Sequence, residues 1–461
     1  MGAQRYLLLL CTLCCCCYSF FGNSQEVPLF DSHEEATSPD GIVEYSTYFG
    51  TIGGVDRGFE THFAAAMGFE PEILSLEGFA DAQRPASSYG VVSVNDYGAK
   101  GDGSTDDTKA FQKAWAKACS SAPAVLVVPK NKNYLLKQIS FSGPCSSNIK
   151  VKIDGAIHAS SNMNDWDGLN RRHWIIFQKV SGLTVEGSGT INGNGEVWWK
   201  NSCKRNKSQP CKIAPTAITF YSCKNLMVKN LRIKDSQQIH VSFERCVNVQ
   251  ASNLKITAPE RSPNTDGIHV TSTQNIQITN SVIRTGDDCI SIVSGAKNVK
   301  ATDITCGPGH GISIGSLGSG KSEAHVSQVL VDGANLSGTT NGVRIKTWQG
   351  GSGNANDIQF LNIAMNNVSN PIIIDQKYCD SKEPCSEQAS AVEVSNVVYK
   401  NIKGTSASDV AIKFDCSKSV PCHGIVLQDI NLVRIKGKAA KTECKNVNGT
   451  AKGQLAPPSC F

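Results

Sequence analysis

The chain has 461 residues, of which 40% are hydrophobic and 18% charged, and its formal net charge is +5. After the first two dozen residues no stretch approaches the ~20 consecutive apolar residues of a membrane span, which excludes a protein anchored by internal transmembrane helices. The charge is uneven: residues 25–89 carry 12 acidic side chains against Arg57 and Arg84, whereas residues 90–461 carry 42 basic against 28 acidic, a net of +14.

Residues 1–24 read as a secretory signal peptide. Arg5 supplies the positive start, Tyr6 to Phe21 is apolar and uncharged, and Gly22-Asn23-Ser24 places small residues before a cleavage point. A signal anchor is the rival reading. Residues 25–89 are expected to be an acidic pro-segment covering a polyanion-binding face until it is removed; a linker without a masking role is the alternative. Five of the 19 cysteines leave with the signal, and 14 remain, an even set that suggests disulfides in a secreted chain. The short loops Cys379–Cys385 and Cys416–Cys422 are the clearest expected pairs. The mature region contains no Cys-x-x-Cys, which disfavours zinc.

The folded domain is expected over 90–461. Val91–Val94 reads as a short strand and Gly98–Asp107 as a loop. Thr105–Asp107 offers an N-cap to a helix through Ala110-Phe111-Gln112-Lys113-Ala114-Trp115, ending near Cys119. This helix is expected to cap the open end of a solenoid. A recurring unit follows: two spaced apolar residues, an Asn or Asp, then another apolar residue. It appears at Leu226/Val228/Asn230, Val247/Val249/Asn253, Ile276/Ile278/Asn280 and Val299/Ala301/Asp303, and again at Ile358/Phe360/Asn362, Val397/Tyr399/Asn401 and Ile425/Leu427/Asp429. Asn can turn a bend between strands because it tolerates left-handed backbone. No helix-length periodic run interrupts the series. The predicted fold is therefore all-β, a parallel β-helix with a short N-terminal capping helix, with repeats to about Asn431 and a tail from Arg434 held by a disulfide. Asn206, Asn335, Asn367 and Asn448 begin Asn-x-Ser/Thr glycosylation sites.

Four polar motifs punctuate residues 264–346: Asn264-Thr265-Asp266, Gly286-Asp287-Asp288, Gly309-His310-Gly311 and Arg344-Ile345-Lys346. By residue number Asp266 and Asp288 are 22 apart, and Asp288 and His310 are 22 apart again. Coils of a parallel sheet stack about 4.8 Å apart, so an equal period puts these side chains in line. Carboxylates held close together cannot all ionise freely, and a protonated acid beside an ionised one is what glycosidic cleavage requires. Arg344 and Lys346, two apart, point the same way and suit an anionic substrate. Each motif alone is ordinarily a solvated turn or face; the shared phase carries the argument. Gly315 to Ser322 satisfies a phosphate-loop pattern, but a strand rather than a helix follows, so the glycines are read as a loop beside the cleft.

The four motifs together, in this order, resemble the signature of the polygalacturonase family of glycoside hydrolases, and the likeness covers about residues 90–445. Longer stretches, Gly307–Gly318 and Arg344–Gly353, look like the plant enzymes of fruit ripening and organ abscission. The resemblance implies a right-handed coil and hydrolysis of α-1,4 bonds in the homogalacturonan of pectin, with endo action the expectation. It implies Asp287 as general acid, Asp266 and Asp288 as residues that position and activate water, and His310 as a residue that tunes the acid. It implies Asn264, Arg344 and Lys346 as substrate contacts. No cofactor and no metal are expected. The partner is the pectin polysaccharide, with neither nucleic acid nor membrane; a monomer is expected, and an inhibitor protein of the wall is left as an open partner. The implied outcome is inversion, although carboxylates one coil apart would by the distance rule point to retention. The rivals are a β-eliminase on a similar coil and a wall-binding protein that does not cut.

Overall fold

The structure is a computed structural model, and it describes residues 90–461 apart from 122, 147, 168–169, 206, 209 and 381–384. The expected signal peptide, the acidic segment 25–89 and the sequon at Asn206 lie outside the described residues. Among the described residues there are 31 strands and two α-helices. The strands form a sheet of 20 and a sheet of 11. Successive coils pair in parallel, as in Ile268–Thr271 with Ile290–Ile292, and Ile290–Ile292 with Ile312–Leu317. The coil is right-handed, the hand that strand–crossover–parallel strand connections overwhelmingly adopt.

The asparagines do what the repeat predicts. Asn230, Asn253, Asn280, Asp303, Asn362, Asn401 and Asp429 all have positive φ. The strand Gln274–Arg284 shows the consequence. Its first half pairs with Val247–Ser252 and its second half with Lys255–Thr257, with Asn280 at the corner between them. Neighbouring corners are tied by side-chain amides: Asn253 donates to Asn230 at 3.1 Å and Asn401 to Asn362 at 2.7 Å.

The core lies inside the coil. Ile268, Ile290, Ile312, Val343 and Ile372 occupy one register position on five successive coils, and all are fully buried. Burying each such side chain contributes about 1.5–3 kcal/mol. Phe177, Phe220 and Phe243 stack with 5.4 Å between successive ring centroids, close to the coil spacing.

The capping helix spans Thr108–Ser120 and buries Ala110, Phe111, Ala114, Trp115 and Ala118 over the open end. Trp115 packs on Phe141 and donates from Nε1 to the Ser142 carbonyl at 3.0 Å. Asp107 occupies the N-cap but its carboxylate does not cap. It accepts instead from the backbone N–H of Lys100 and Gly101, while Asp106 accepts from the Thr108 N–H. Within the expected loop, Asp102–Asp106 forms a strand.

Two sequence expectations need amendment. The repeats do not stop near Asn431: Lys441–Lys445 and Val447–Ala456 add a further coil to both sheets, and Cys444–Cys460 closes it. The 14 mature cysteines are not all bridged. Six disulfides form, including the expected Cys379–Cys385 and Cys416–Cys422, but Cys223 and Cys246 are free and buried. Each thiol donates to a backbone carbonyl of the preceding coil, Cys223 to Phe177 and Cys246 to Phe220. The remaining sequons, at Asn335, Asn367 and Asn448, are exposed. No helix among the described residues is long and apolar enough to cross a membrane.

Candidate active site

The smaller sheet carries the polar motifs on its outer face. Its ladder aligns His269, Ser291, Ser313 and Arg344 on four successive coils, between inward-facing isoleucines and valines. The turn before each strand supplies the acids. The Gly267 N–H donates to the Asp288 carbonyl and the Cys289 N–H to the Gly311 carbonyl, so the motifs stack in the phase their 22-residue spacing requires. The glycines around His310 are needed for this closeness. Gly309 has φ +132 and Gly311 φ +87, and a Cβ on Gly311 would sit 2.0 Å from the Asn341 carbonyl oxygen.

Asp287 and Asp288 are adjacent, yet the turn after Gly286 brings both carboxylates into one cluster of polar side chains, Asp287 beside His310 and Asp288 beside Ser313, Arg344 and Lys346. Asp288 is buried and receives three side chains. Ser313 Oγ donates to Oδ1 at 2.7 Å, Arg344 Nη2 to Oδ1 at 2.8 Å, and Lys346 Nζ to Oδ2 at 3.1 Å. Arg344 Nε also donates to Ser313 Oγ at 2.9 Å. The two cations expected from the sequence to face a substrate share an internal carboxylate in the fold.

Asp287 pairs with His310, whose Nδ1 lies 2.9 Å from Oδ1. Burial opposes ionisation of Asp287, but the hydrogen bond and charge of His310, helped by Lys346 and the Asp288 N–H, outweigh it and lower the carboxyl to about 2. The same bond raises His310 above the ordinary histidine value, against burial. Asp266 goes the other way. Burial and the nearby Asp287 and Asp288 push it well above the usual carboxylate range, with the Ser291 hydroxyl and Lys346 opposing. Ser291 Oγ donates to Asp266 Oδ2 at 2.7 Å. Asn264 has φ +57 at the bend leading into Asp266, and Thr265 accepts the Gly286 N–H at 3.0 Å, joining the first two motifs.

The sequence places His269, Ser291 and Ser313 in the strand phase of Arg344 but does not show what they bind. Ser291 and Ser313 each sit 25 residues after the aspartate they bind, a spacing visible in the chain once the phase is known. His269 Nδ1 lies 2.8 Å from Ser291 Oγ. The Tyr378 ring lies 5.2 Å below Lys346 Nζ and packs edge-on against Trp348; it comes from the next coil, and no repeated motif announced it. Potential ligand atoms of Asp287, Asp288 and His310 lie within 4.8 Å of one another, but a cation there would compete with His310, Arg344 and Lys346 for the same carboxylates.

Residues 119–456 match Glycosyl hydrolases family 28. The chain belongs to this family. It is 65% identical over 404 residues to a polygalacturonase of Persea americana, covering 87% of this chain and 86% of that protein. It is 64% identical over 368 residues to polygalacturonase-2 of Solanum lycopersicum, covering 80% of each. Among solved structures it is similar to an endo-xylogalacturonan hydrolase from Aspergillus tubingensis, with a TM-score of 0.68, 25% identity and coverage of 80% of this chain and 100% of that one. A polygalacturonase from Erwinia carotovora ssp. carotovora shares the fold, with a TM-score of 0.64 at 24% identity, over 75% of this chain and 94% of that one. As a family 28 member the protein is a glycoside hydrolase, and the right-handed parallel β-helix is the fold it shares with these relatives.

Proposed function

We propose that this family 28 enzyme is a polygalacturonase of the plant cell wall that hydrolyses α-1,4 bonds within homogalacturonan, the acidic backbone of pectin. The observation that carries the reading is the row of Asp266, Asp287, Asp288 and His310 beside Arg344 and Lys346 on one face of the coil. Its support is the high identity to plant polygalacturonases. The six disulfides suit an oxidising compartment and so secretion.

Asp287 acts as general acid together with His310. The imidazolium first passes its Nδ1 proton to the Asp287 carboxylate; the neutral carboxyl so formed then delivers that proton to the leaving glycosidic oxygen as the glycosidic bond breaks, leaving Asp287 ionised and His310 neutral. This explains how a carboxyl with a low resting pKa can serve as acid: the proton is stored on its partner. Water, deprotonated by a second carboxylate, attacks the anomeric carbon from the opposite side, and the configuration inverts. Three carboxylates share the site, so the two-carboxylate distance rule does not decide the outcome. Asn264, Arg344 and Lys346 contact the substrate, the two cations meeting galacturonate carboxylates. A guanidinium has five N–H donors, so bonds to Ser313 and Asp288 do not exhaust it. The chain works as a monomer, and residues 25–89 are a pro-segment.

Incubation with polygalacturonate tests the reading. Reducing ends should appear without an unsaturated, ultraviolet-absorbing product, and a chelator should not slow them. Viscosity should fall well before most bonds are cut, as internal cleavage requires. An unsaturated product would make the protein an eliminase, and binding without reducing ends would make it a wall-binding protein.

A further inference from the structure

Two loops rooted far apart on the smaller sheet meet through one ion pair. Lys204 Nζ donates to both carboxylate oxygens of Asp380, at 2.7 and 2.6 Å, across 176 residues of chain. Lys204 belongs to the segment that follows the helix Glu196–Lys200 and leads into the strand Thr216–Tyr221. Asp380 comes just after the strand Asn370–Tyr378. Between these two strands the sheet holds Val241–Glu244, Ile268–Thr271, Ile290–Ile292, Ile312–Leu317 and Asn341–Trp348. Six steps of about 4.8 Å put the roots of the two loops about 29 Å apart.

The strands of this sheet run parallel, so their starts form one edge and their ends the other. Lys204 approaches from the edge of the starts, where the turns carry Asp266, Asp287, Asp288 and His310. Asp380 approaches from the edge of the ends. The inner face of the sheet is filled by the core, so the pair closes over the outer face, on a diagonal. Tyr378, at the root of the second loop, has its hydroxyl pKa raised by burial first and then by Asp380, Asp288 and Asp287, with Arg344 opposing, which places that root beside the acids. A polymer lying along the acids runs beneath the pair.

We propose that Lys204 and Asp380 form a clasp over the cleft that keeps a bound polyanionic chain from leaving sideways between cuts, so that one chain is cut several times before it is released. The clasp rests on the polygalacturonase reading above. Its side chains are 40% and 49% exposed. An exposed ion pair is weak and screened by salt, so this one can part to admit an internal stretch of a long chain, which has no end to thread. Both partners are anchored. Lys204 follows Cys203, bridged to Cys211, and Asp380 follows Cys379, bridged to Cys385. Short covalent loops have little freedom to lose when the side chains meet. Once closed, the pair carries no net charge toward the polyanion, which can slide lengthwise beneath it. Neither residue belongs to the hydrolytic row, so cleavage itself does not need them.

The test counts cuts per binding event on polygalacturonate, read early in the reaction as short oligomers released per long chain shortened. Lys204→Ala and Asp380→Ala should each lower the count about two- to fivefold, the worth of an exposed ion pair, with kcat on a short oligogalacturonate unchanged. The exchange Lys204→Asp/Asp380→Lys rebuilds the pair in reverse and should restore the count. In about 0.5 M salt, where charges are screened within a few Å, wild type should fall to the level of the single variants. Single variants that keep the wild-type count, or an exchange that recovers nothing, overturn the clasp. A carbodiimide joins a lysine amine to a carboxylate in contact with it, and so checks the contact without turnover. Proteolytic peptides of the treated wild type should carry a Lys204–Asp380 amide. Absence of that amide overturns the clasp even in a protein that cuts polygalacturonate, whereas the amide in a protein that does not cut it would instead reject the substrate.

Discussion

Arg344 and Asp288 are 56 residues apart in the chain and 2.8 Å apart in the fold, and Asp288 has 2% side-chain exposure. Lys346 shares the same carboxylate at 3.1 Å. Removing one partner of a buried pair leaves a charge in a poor solvent for it, a loss of about 3–5 kcal/mol. The second cation remains here, so Arg344→Met should fall near the low end, about 3 kcal/mol. Denaturant unfolding measures this. Asp288→Asn in the same background should recover part of the loss, and no recovery would show that the damage comes from packing.

Activity should follow a bell in pH. The acidic limb belongs to Asp266, whose raised value puts it above the ~4 of an ordinary carboxyl, and the alkaline limb to His310, raised above ~6.5. His310→Gln should cut kcat by roughly 100-fold or more and abolish the alkaline limb. A persistent limb would assign it to another group.

Stability should respond to the Asp287–His310 pair with opposite signs at the two ends. His310 is raised in the folded state, so its contribution is full below ~6.5 and is lost as pH rises through the folded value. Asp287 is lowered to about 2, so its contribution is present above ~3.9 and is lost as pH falls through about 2. The difference in Tm between wild type and His310→Gln should peak between ~4 and ~6.5. A difference that does not change with pH would deny the charge pairing.

Cys289 follows Asp288 directly and is bridged to Cys306, 17 residues on. Closing a loop of that size contributes about 3 kcal/mol. The Cys289→Ser/Cys306→Ser double variant should lose about that much and also lose rate, because the Asp288 turn is no longer held from below. A stability loss with unchanged kcat would separate the bridge from the site.

Much of this was legible in the chain because a solenoid turns sequence period into spatial contact. The Asn230, Asn253 and Asn280 corners and the 22-residue phase of Asp266, Asp288 and His310 followed from counting. What counting missed depends on side-chain reach. Cys223 and Cys246 count toward an even set, yet each thiol is satisfied by a carbonyl of the coil before it. Asp107 sits where a cap belongs, but the Lys100 and Gly101 amides claim its carboxylate. The final coil, 441–456, carries exposed Lys, Glu and Gln in place of the apolar alternation, so its pairing with Val410–Asp415 and Cys422–Arg434 left little trace in pattern.

The central claim is that coiling assembles a hydrolytic centre whose acid is Asp287. Its most direct test is reducing-end release from polygalacturonate by Asp287→Asn beside wild type, with substrate binding measured on both by calorimetry. The account predicts unchanged binding within about threefold and a fall in kcat on the order of 1,000-fold, within the range for loss of a general acid. A variant that binds as well and still turns over at a tenth of the wild-type rate would contradict it.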